Sequence, residues 1–240
     1  MNTHIIVQAR MNSSRLPGKV LKIVLGKTLL EYQLERLNRV VNADKIIVAT
    51  TGQSIDDSIV ELCDRLSTPT YRGSESDVLR RYANAAQMYG SSTIVRITSD
   101  CPLIDPALID RTIDFYKEST FDYVATDNDV YPRGMNVEVF SKTMLDIANN
   151  KALKSADREH VTPYFYQHPE LFSIGTYTEA IQASQYRLTV DTPEDFQLIQ
   201  VLLENIYPEN NTFSLNDILA YLQEHPQLID INKHIQQKAL

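Results

Sequence analysis

The stretch HIIVQARMNSSRLPGK, residues 4–19, decides the fold. Its first part, 4–9, is a short apolar run rich in β-branched side chains, the pattern of a buried strand. Residues 10–19 are polar and carry Pro17 and Gly18, so they read as a loop leaving the carboxyl end of that strand. Further along, Leu30, Leu34, Leu37 and Val41 fall on one helical face and predict a helix over 28–41. Strands are predicted at 45–49, 93–98 and 122–126, with helices at 54–66, 76–89 and 106–117 between and after them. Such alternation belongs to an α/β protein with a mainly parallel sheet and helices on both faces.

The alternation loosens after residue 127. Residues 136–140 alternate like a half-buried strand, 142–150 and 157–166 read as helices, and 172–177 and 187–190 as strands. A helix over 193–206 begins with Thr192 at the N-cap, Pro193 at N1 and Asp195 at N3, close to a capping box. A short helix over 215–224 follows. With no internal repeat and no linker, the expectation is one domain over residues 1–240, with 127–186 inserted over one edge of the sheet.

Of the 240 residues, 43% are hydrophobic and 22% charged, the profile of an ordinary globular chain. The 23 basic and 31 acidic residues give a net charge of −8, which argues against a protein that coats nucleic acid. All the acidic residues lie beyond position 30, while Arg10, Arg15, Lys19, Lys22 and Lys27 lie before it. That is the electrostatics of a local anion site such as a phosphate pocket, although a cluster on a solvated face has the same pattern. Cys63 and Cys101 make neither a zinc pattern nor a disulfide framework, which suits a reducing cytoplasm. The first residues lack the features of a signal peptide, and no apolar run is long enough for a membrane span.

Four places could carry chemistry. The 8–19 loop offers Arg10, Arg15 and Lys19, the hydroxyls of Ser13 and Ser14, and backbone N–H groups at the sheet end where open α/β proteins bind ligands. Gly26-Lys27-Thr28 imitates the end of a P-loop, but the required earlier glycine is Leu21, so a loop and helix start is expected there. Asp100, just past the 93–98 strand, can hold Mg²⁺ against phosphate oxygens or simply cap a turn before Cys101-Pro102. Asp191 precedes a helix start that accounts for Glu194 and Asp195 but leaves Asp191 itself over. In the looser half, Arg133, Glu138, Arg158, Glu159 and His160 could line an acceptor pocket, with surface ion pairing as the other reading for Arg158 and Glu159. No Gly-x-Ser-x-Gly elbow or His-Glu-x-x-His motif supports a hydrolase.

Residues 8–19 (QARMNSSRLPGK) resemble the signature loop of the cytidylyltransferases that make CMP-KDO and CMP-sialic acids, and the chain is more similar to their SpsF-type branch. GSESDVLRRY (73–82), TSDCPLID (98–105), YPRGMNVEVF (131–140) and REHVTP (158–163) fit that branch, and RLTVDTPED (187–195) fits both. The resemblance implies a Rossmann-like nucleotide-diphospho-sugar transferase fold and transfer of CMP from CTP to an acceptor oxygen, with Mg²⁺ and release of pyrophosphate. It implies that Arg10, Arg15 and Lys19 act on the triphosphate, and that Ala9, Ser13, Ser14, Gly18, Arg81 and Ser99 help hold the nucleotide. Asp100 and Asp191 would bind Mg²⁺. Arg133, Asn136, Glu138, Arg158, Glu159 and His160 would face the acceptor, making 127–186 the acceptor-side and dimerisation segment, since such enzymes are often homodimers. Thr98-Ser99-Asp100 stands where KDO-type enzymes carry Gln-Gly-Asp, a departure that bears on the base contacts. Two other readings share these features: a glycosyltransferase of the same fold, for which Asp127-Asn128-Asp129 has the Asp-x-Asp shape, and a nucleotide-binding subunit without turnover.

Overall fold

The computed structural model describes residues 2–236. The chain runs β1 (Thr3–Gln8), a small hairpin of β2 (Ile23–Val24) and β3 (Lys27–Thr28), α1 (Leu29–Leu37), β4 (Lys45–Thr51), α2 (Asp57–Arg65), β5 (Thr70–Gly73) and α3 (Val78–Tyr89). It continues through β6 (Thr93–Thr98), α4 (Pro106–Glu118), β7 (Tyr123–Thr126), β8 (Glu138–Ser141), α5 (Lys142–Lys151), α6 (Ser155–His160) and α7 (Pro163–Tyr166). β9 (Ile174–Tyr177), α8 (Pro193–Ile206) and α9 (Leu215–Glu224) follow.

Seven strands form one sheet in the order β5-β4-β1-β6-β8-β7-β9. All neighbours are parallel except β8, which is antiparallel to both β6 and β7. β1 alternates its side chains across the sheet: Ile5 and Val7 enter one core and Ile6 the other. The first core is closed by α1, α2, α4, α8 and α9, the second by α3, α5 and α7, so both faces are covered as expected. From β1 the chain builds outward through β4 to β5 and then returns to β6 on the other side of β1. The carboxyl ends of β1 and β6 are therefore a topological switch point, where open α/β sheets bind ligands.

Several expectations need correction. The helix predicted over 28–41 stops at Leu37, and Val41 lies beyond it, 85% exposed, with its N–H bonded to Asp110. The helix predicted over 157–166 is two pieces, interrupted at Val161 and Thr162. Residues 187–190 are buried but form no strand, only a single bridge between Arg187 and Arg133. Strand β5 was not foreseen, because its side chains are only partly buried and show no apolar run. The stretch 127–186 does not merely cover an edge, since β8 is an internal strand of the sheet. Among the described residues, no helix is long and apolar enough to cross a membrane.

Candidate active site

The loop after β1 is held from below. Gly18 (φ 67°) donates its N–H to Met11 O at 2.8 Å, closing the loop on itself. The buried Asp56 carboxylate accepts the Met11 N–H at 2.7 Å and is itself hydrogen-bonded by the Thr51 hydroxyl. These contacts leave Ser13, Ser14 and Arg15 facing a cavity of about 350 Å³ together with Ala9, Arg10, Lys19, Arg81 and Ser99. The Gly26-Lys27-Thr28 imitation has no part in it. Gly26 turns the β2–β3 hairpin, Lys27 pairs with Glu35 and Tyr207, and Thr28 caps α1 in a full capping box.

The two candidate metal carboxylates converge on one ammonium. Lys19 Nζ lies 2.8 Å from Asp191 Oδ1 and 3.8 Å from Asp100 Oδ2, and it also donates to Val190 O. Arg15 reaches the other Asp191 oxygen at 3.0 Å. Backbone bonding fixes the pair, because Asp100 O accepts from Val190 N–H at 2.8 Å and from the Thr189 hydroxyl. Burial pushes the Asp100 carboxyl up, but the Lys19 ammonium and hydrogen bonds from Thr98 and Cys101 outweigh it, and the group is held below the usual carboxylate value. From α1, the buried Gln33 amide donates to Thr98 O and Cys101 O, pinning the turn that presents Asp100.

Arg81 is 2% exposed and, among the described residues, has no carboxylate partner; one Nη donates to Ser74 O while its buried Nε has no hydrogen-bond partner there. Burial, and after it the neighbouring Arg10, lowers its guanidinium from the usual value. An arginine so placed is a preformed receptor for an acceptor oxygen or an anion. Arg10 itself is partly exposed and only 3.8 Å from Glu75.

A second cavity of about 560 Å³ adjoins the first and contains Arg133, Asn136, Glu138 and His160. Asp127, Asn128 and Asp129 also line it. Five residues line both cavities: Arg96, Thr98, Asp100, His160 and Asp191. The carboxylate pair therefore stands at the seam between them. Two expected acceptor-side residues lie elsewhere. Arg158 donates to both Asp77 oxygens and to Asn149, tying α6 to the N-cap of α3, and it does not line the second cavity. Glu159 faces the first cavity and an outer depression between Gly52 and Gly73.

Residues 4–225 match the family described as cytidylyltransferase. The chain belongs to the cytidylyltransferase family. It is accordingly a CTP-dependent nucleotidyltransferase. It is similar to the spore coat polysaccharide biosynthesis protein SpsF of Bacillus subtilis, 34% identical over 92% of this chain and 94% of that one. Among solved structures, a cytidylyltransferase from Leptospira borgpetersenii matches with a TM-score of 0.91 and 32% identity, covering 99% of this chain and 100% of the other. CMP:2-keto-3-deoxy-manno-octonic acid synthetase, solved with CTP, matches at TM-score 0.65 and 15% identity over 85% of this chain and 99% of its own, a likeness of fold. The fold is that of the nucleotide-diphospho-sugar transferases.

Three residues of this cytidylyltransferase escaped the reading of its sequence. Arg96, beneath the seam, pairs with Glu138, its register partner on β8, and reaches Gln8 Oε1. Glu138 also accepts from Tyr123 at 2.5 Å and Thr162 at 2.7 Å. A lone charge inside the apolar run TIVRIT was the available signal. Asp195, accounted for above as helix-start chemistry, does cap α8. Its fully buried carboxylate also grips Arg187, Asn232 and the N–H of Asp191. Arg187 in turn holds Asp191 Oδ2 at 2.9 Å. For Asp56, the third, no signal in the sequence marks the bond to the loop.

Proposed function

We propose that this chain transfers CMP from CTP to a hydroxyl oxygen of an acidic sugar or related acceptor, releasing pyrophosphate, in the synthesis of a surface polysaccharide. The observation that carries this reading is the seam: a cation-lined cavity and a second polar cavity share the Asp100 and Asp191 carboxylates. A triphosphate in the first cavity and an acceptor in the second would bring their reacting atoms together there. The name of the similar SpsF protein supports the pathway.

Ser13 and Ser14 would direct their hydroxyls at the phosphates beside Ala9, with Arg81 and Ser99 toward the nucleoside, while Gly18, whose N–H is spent on Met11 O and which does not line the cavity, would only shape the loop. Lys19 and Arg15 rest on carboxylates in the structure, and a triphosphate would draw both onto its oxygens, where with Arg10 they stabilise charge on the departing pyrophosphate. The residues fit a divalent metal. Two hard carboxylates converge on one cation position now spanned by Lys19, and Mg²⁺ takes one or two such ligands beside water and phosphate. Among the described residues there is no group of three or more His, Cys, Asp or Glu poised for a metal, so phosphate oxygens would complete the shell. When bound, the ion neutralises charge on the α-phosphate and the attacking oxygen. Arg133 and Asn136 would orient the acceptor, and Glu138 would keep Arg96 in place under the seam. The acceptor oxygen attacks the α-phosphorus in line with the leaving group, so most of the work is positioning and charge neutralisation.

The test is pyrophosphate release with Mg²⁺, offering CTP, UTP, ATP and GTP singly against a pool of acidic sugars and phospho-sugars. CTP-selective release that requires an acceptor is the expected result. Release that ignores the base, or no release with any pair, would overturn the proposal.

A further inference from the structure

We infer that the His160 imidazole is the general base that removes the proton from the acceptor hydroxyl, an inference that rests on the function just proposed. Of the five residues lining both cavities, four already have partners. Asp100 and Asp191 face Lys19, Arg96 is paired with Glu138, and the Thr98 hydroxyl meets Cys101 Sγ at 3.4 Å. His160 is different. Among the described residues its ring has no hydrogen bond, ion pair or ring contact, so a nitrogen lone pair is open at the junction. Glu138, a carboxylate of the second cavity, already accepts from Arg96, Tyr123 and Thr162, so it serves as an anchor for its neighbours.

The backbone shows how His160 is held there. The next residue, Val161, is fully buried with φ 73° and ψ −55°. Thr162 N–H donates to His160 O at 2.9 Å, closing a three-residue turn of the positive-φ kind. A β-branched residue adopts that conformation only where its surroundings impose it. Here they do: Val161 N–H caps α6 on Asp157 O, and the Thr162 hydroxyl is bonded to Glu138. The turn ends α6 at His160, and Pro163 starts α7 on the other side. The imidazole is thus carried by a tied backbone, as a group with a defined position in a reaction requires.

The step balances simply. The acceptor O–H bond breaks and its proton goes to an imidazole nitrogen. The oxygen lone pair forms the bond to the α-phosphorus, and the bond to pyrophosphate breaks with its electron pair leaving on pyrophosphate. An imidazole suits this role because one ring nitrogen can take a proton while the other remains an N–H donor.

The experiment compares wild type, His160→Gln and His160→Ala with CTP, Mg²⁺ and the acceptor pool above, and measures CTP binding by calorimetry. Both variants are expected to bind CTP within about twofold of wild type while kcat falls by about 10²- to 10⁴-fold. Added imidazole should restore turnover to His160→Ala by about tenfold or more, by supplying the missing base. Turnover of His160→Gln within about threefold of wild type would overturn the inference alone, well below the loss a general base explains. A large loss that imidazole does not relieve would also overturn it and leave His160 as an acceptor-positioning residue. If wild type itself releases no pyrophosphate with any acceptor, the proposed function fails and this inference with it.

Discussion

Lys19 Nζ and Asp191 Oδ1, 172 positions apart in the chain, are bonded at 2.8 Å. This contact joins the loop after the first strand to the segment before α8, and it places a mobile cation where a carboxylate pair opens onto both cavities. Replacing Lys19 with alanine should lower kcat by about 10²-fold or more, the usual cost of losing a preorganised charge donor. Pyrophosphate release at saturating CTP measures it, and near-normal turnover would remove Lys19 from its assigned role.

Asp100→Asn keeps the side chain's shape and removes its charge. The expected effect is a Mg²⁺ half-saturation raised by at least about tenfold, since disturbing even an outer partner of a metal site costs 10- to 100-fold. A metal titration of initial rate reads this directly. An unchanged titration would show that the carboxylate is not a ligand.

Asp195→Ala removes the carboxylate that pairs with buried Arg187, takes away one of the two acceptors of the Asn232 amide and leaves the Asp191 N–H without its acceptor. Breaking a buried pair from one side costs about 3–5 kcal/mol. Urea unfolding should show that loss, and activity should fall too, because Arg187 also braces Asp191.

Gly134→Ala tests how closely two backbones approach in the wall of the second cavity. Gly134 has φ 101°, and an added Cβ would stand 2.6 Å from Leu188 C and 2.7 Å from Leu188 O. Neither atom belongs to a flexible side chain. A stability loss of more than about 2 kcal/mol is expected, from positive φ and overpacking together. Denaturant unfolding is the check.

His4 supplies a pH dependence. Burial first, then Lys45 on the adjacent strand, lowers its imidazole from the ordinary 6.5, with Asp44 opposing. The unfolded chain therefore binds this proton more readily than the native one. The resulting stability is complete above pH 6.5 and is lost as pH falls through that value toward the lowered one. The urea midpoint should drop on acidification from about pH 7 to about 5.5, and His4→Asn should flatten that slope.

Much of this could be read before the structure, for physical reasons that differ by residue. The 8–19 loop announced itself because its cations cluster between an apolar strand and a Pro-Gly turn. The α8 start was legible because Thr192, Pro193 and Asp195 act locally, within one turn. What stayed hidden acts over long separations. Asp195 satisfies a cap and a buried arginine at once, and only the first role has a local pattern. Arg96 and Glu138 stand opposite each other across two strands that sequence order does not pair. Residues 187–190 have the composition of a strand, yet they spend their hydrogen bonds on Asp100 and Arg133 instead of a ladder. Arg158 carried a suggestive charge, but its partner Asp77 lies 81 positions away.

The reversed strand β8 limits how such an enzyme can be re-engineered. It is registered through four partners on β6 and three on β7, and one of those partners is Arg96 beneath the seam. The wall of the second cavity, proposed above to meet the acceptor, is therefore woven into the same sheet that carries the loop after β1. A chimera exchanging residues 127–186 for those of another enzyme would have to re-form an internal strand, not attach a module. If the second cavity takes the acceptor as proposed, its preference is better altered by single replacements on the loop at 127–136, which lines the cavity and lies outside the strands on either side of it.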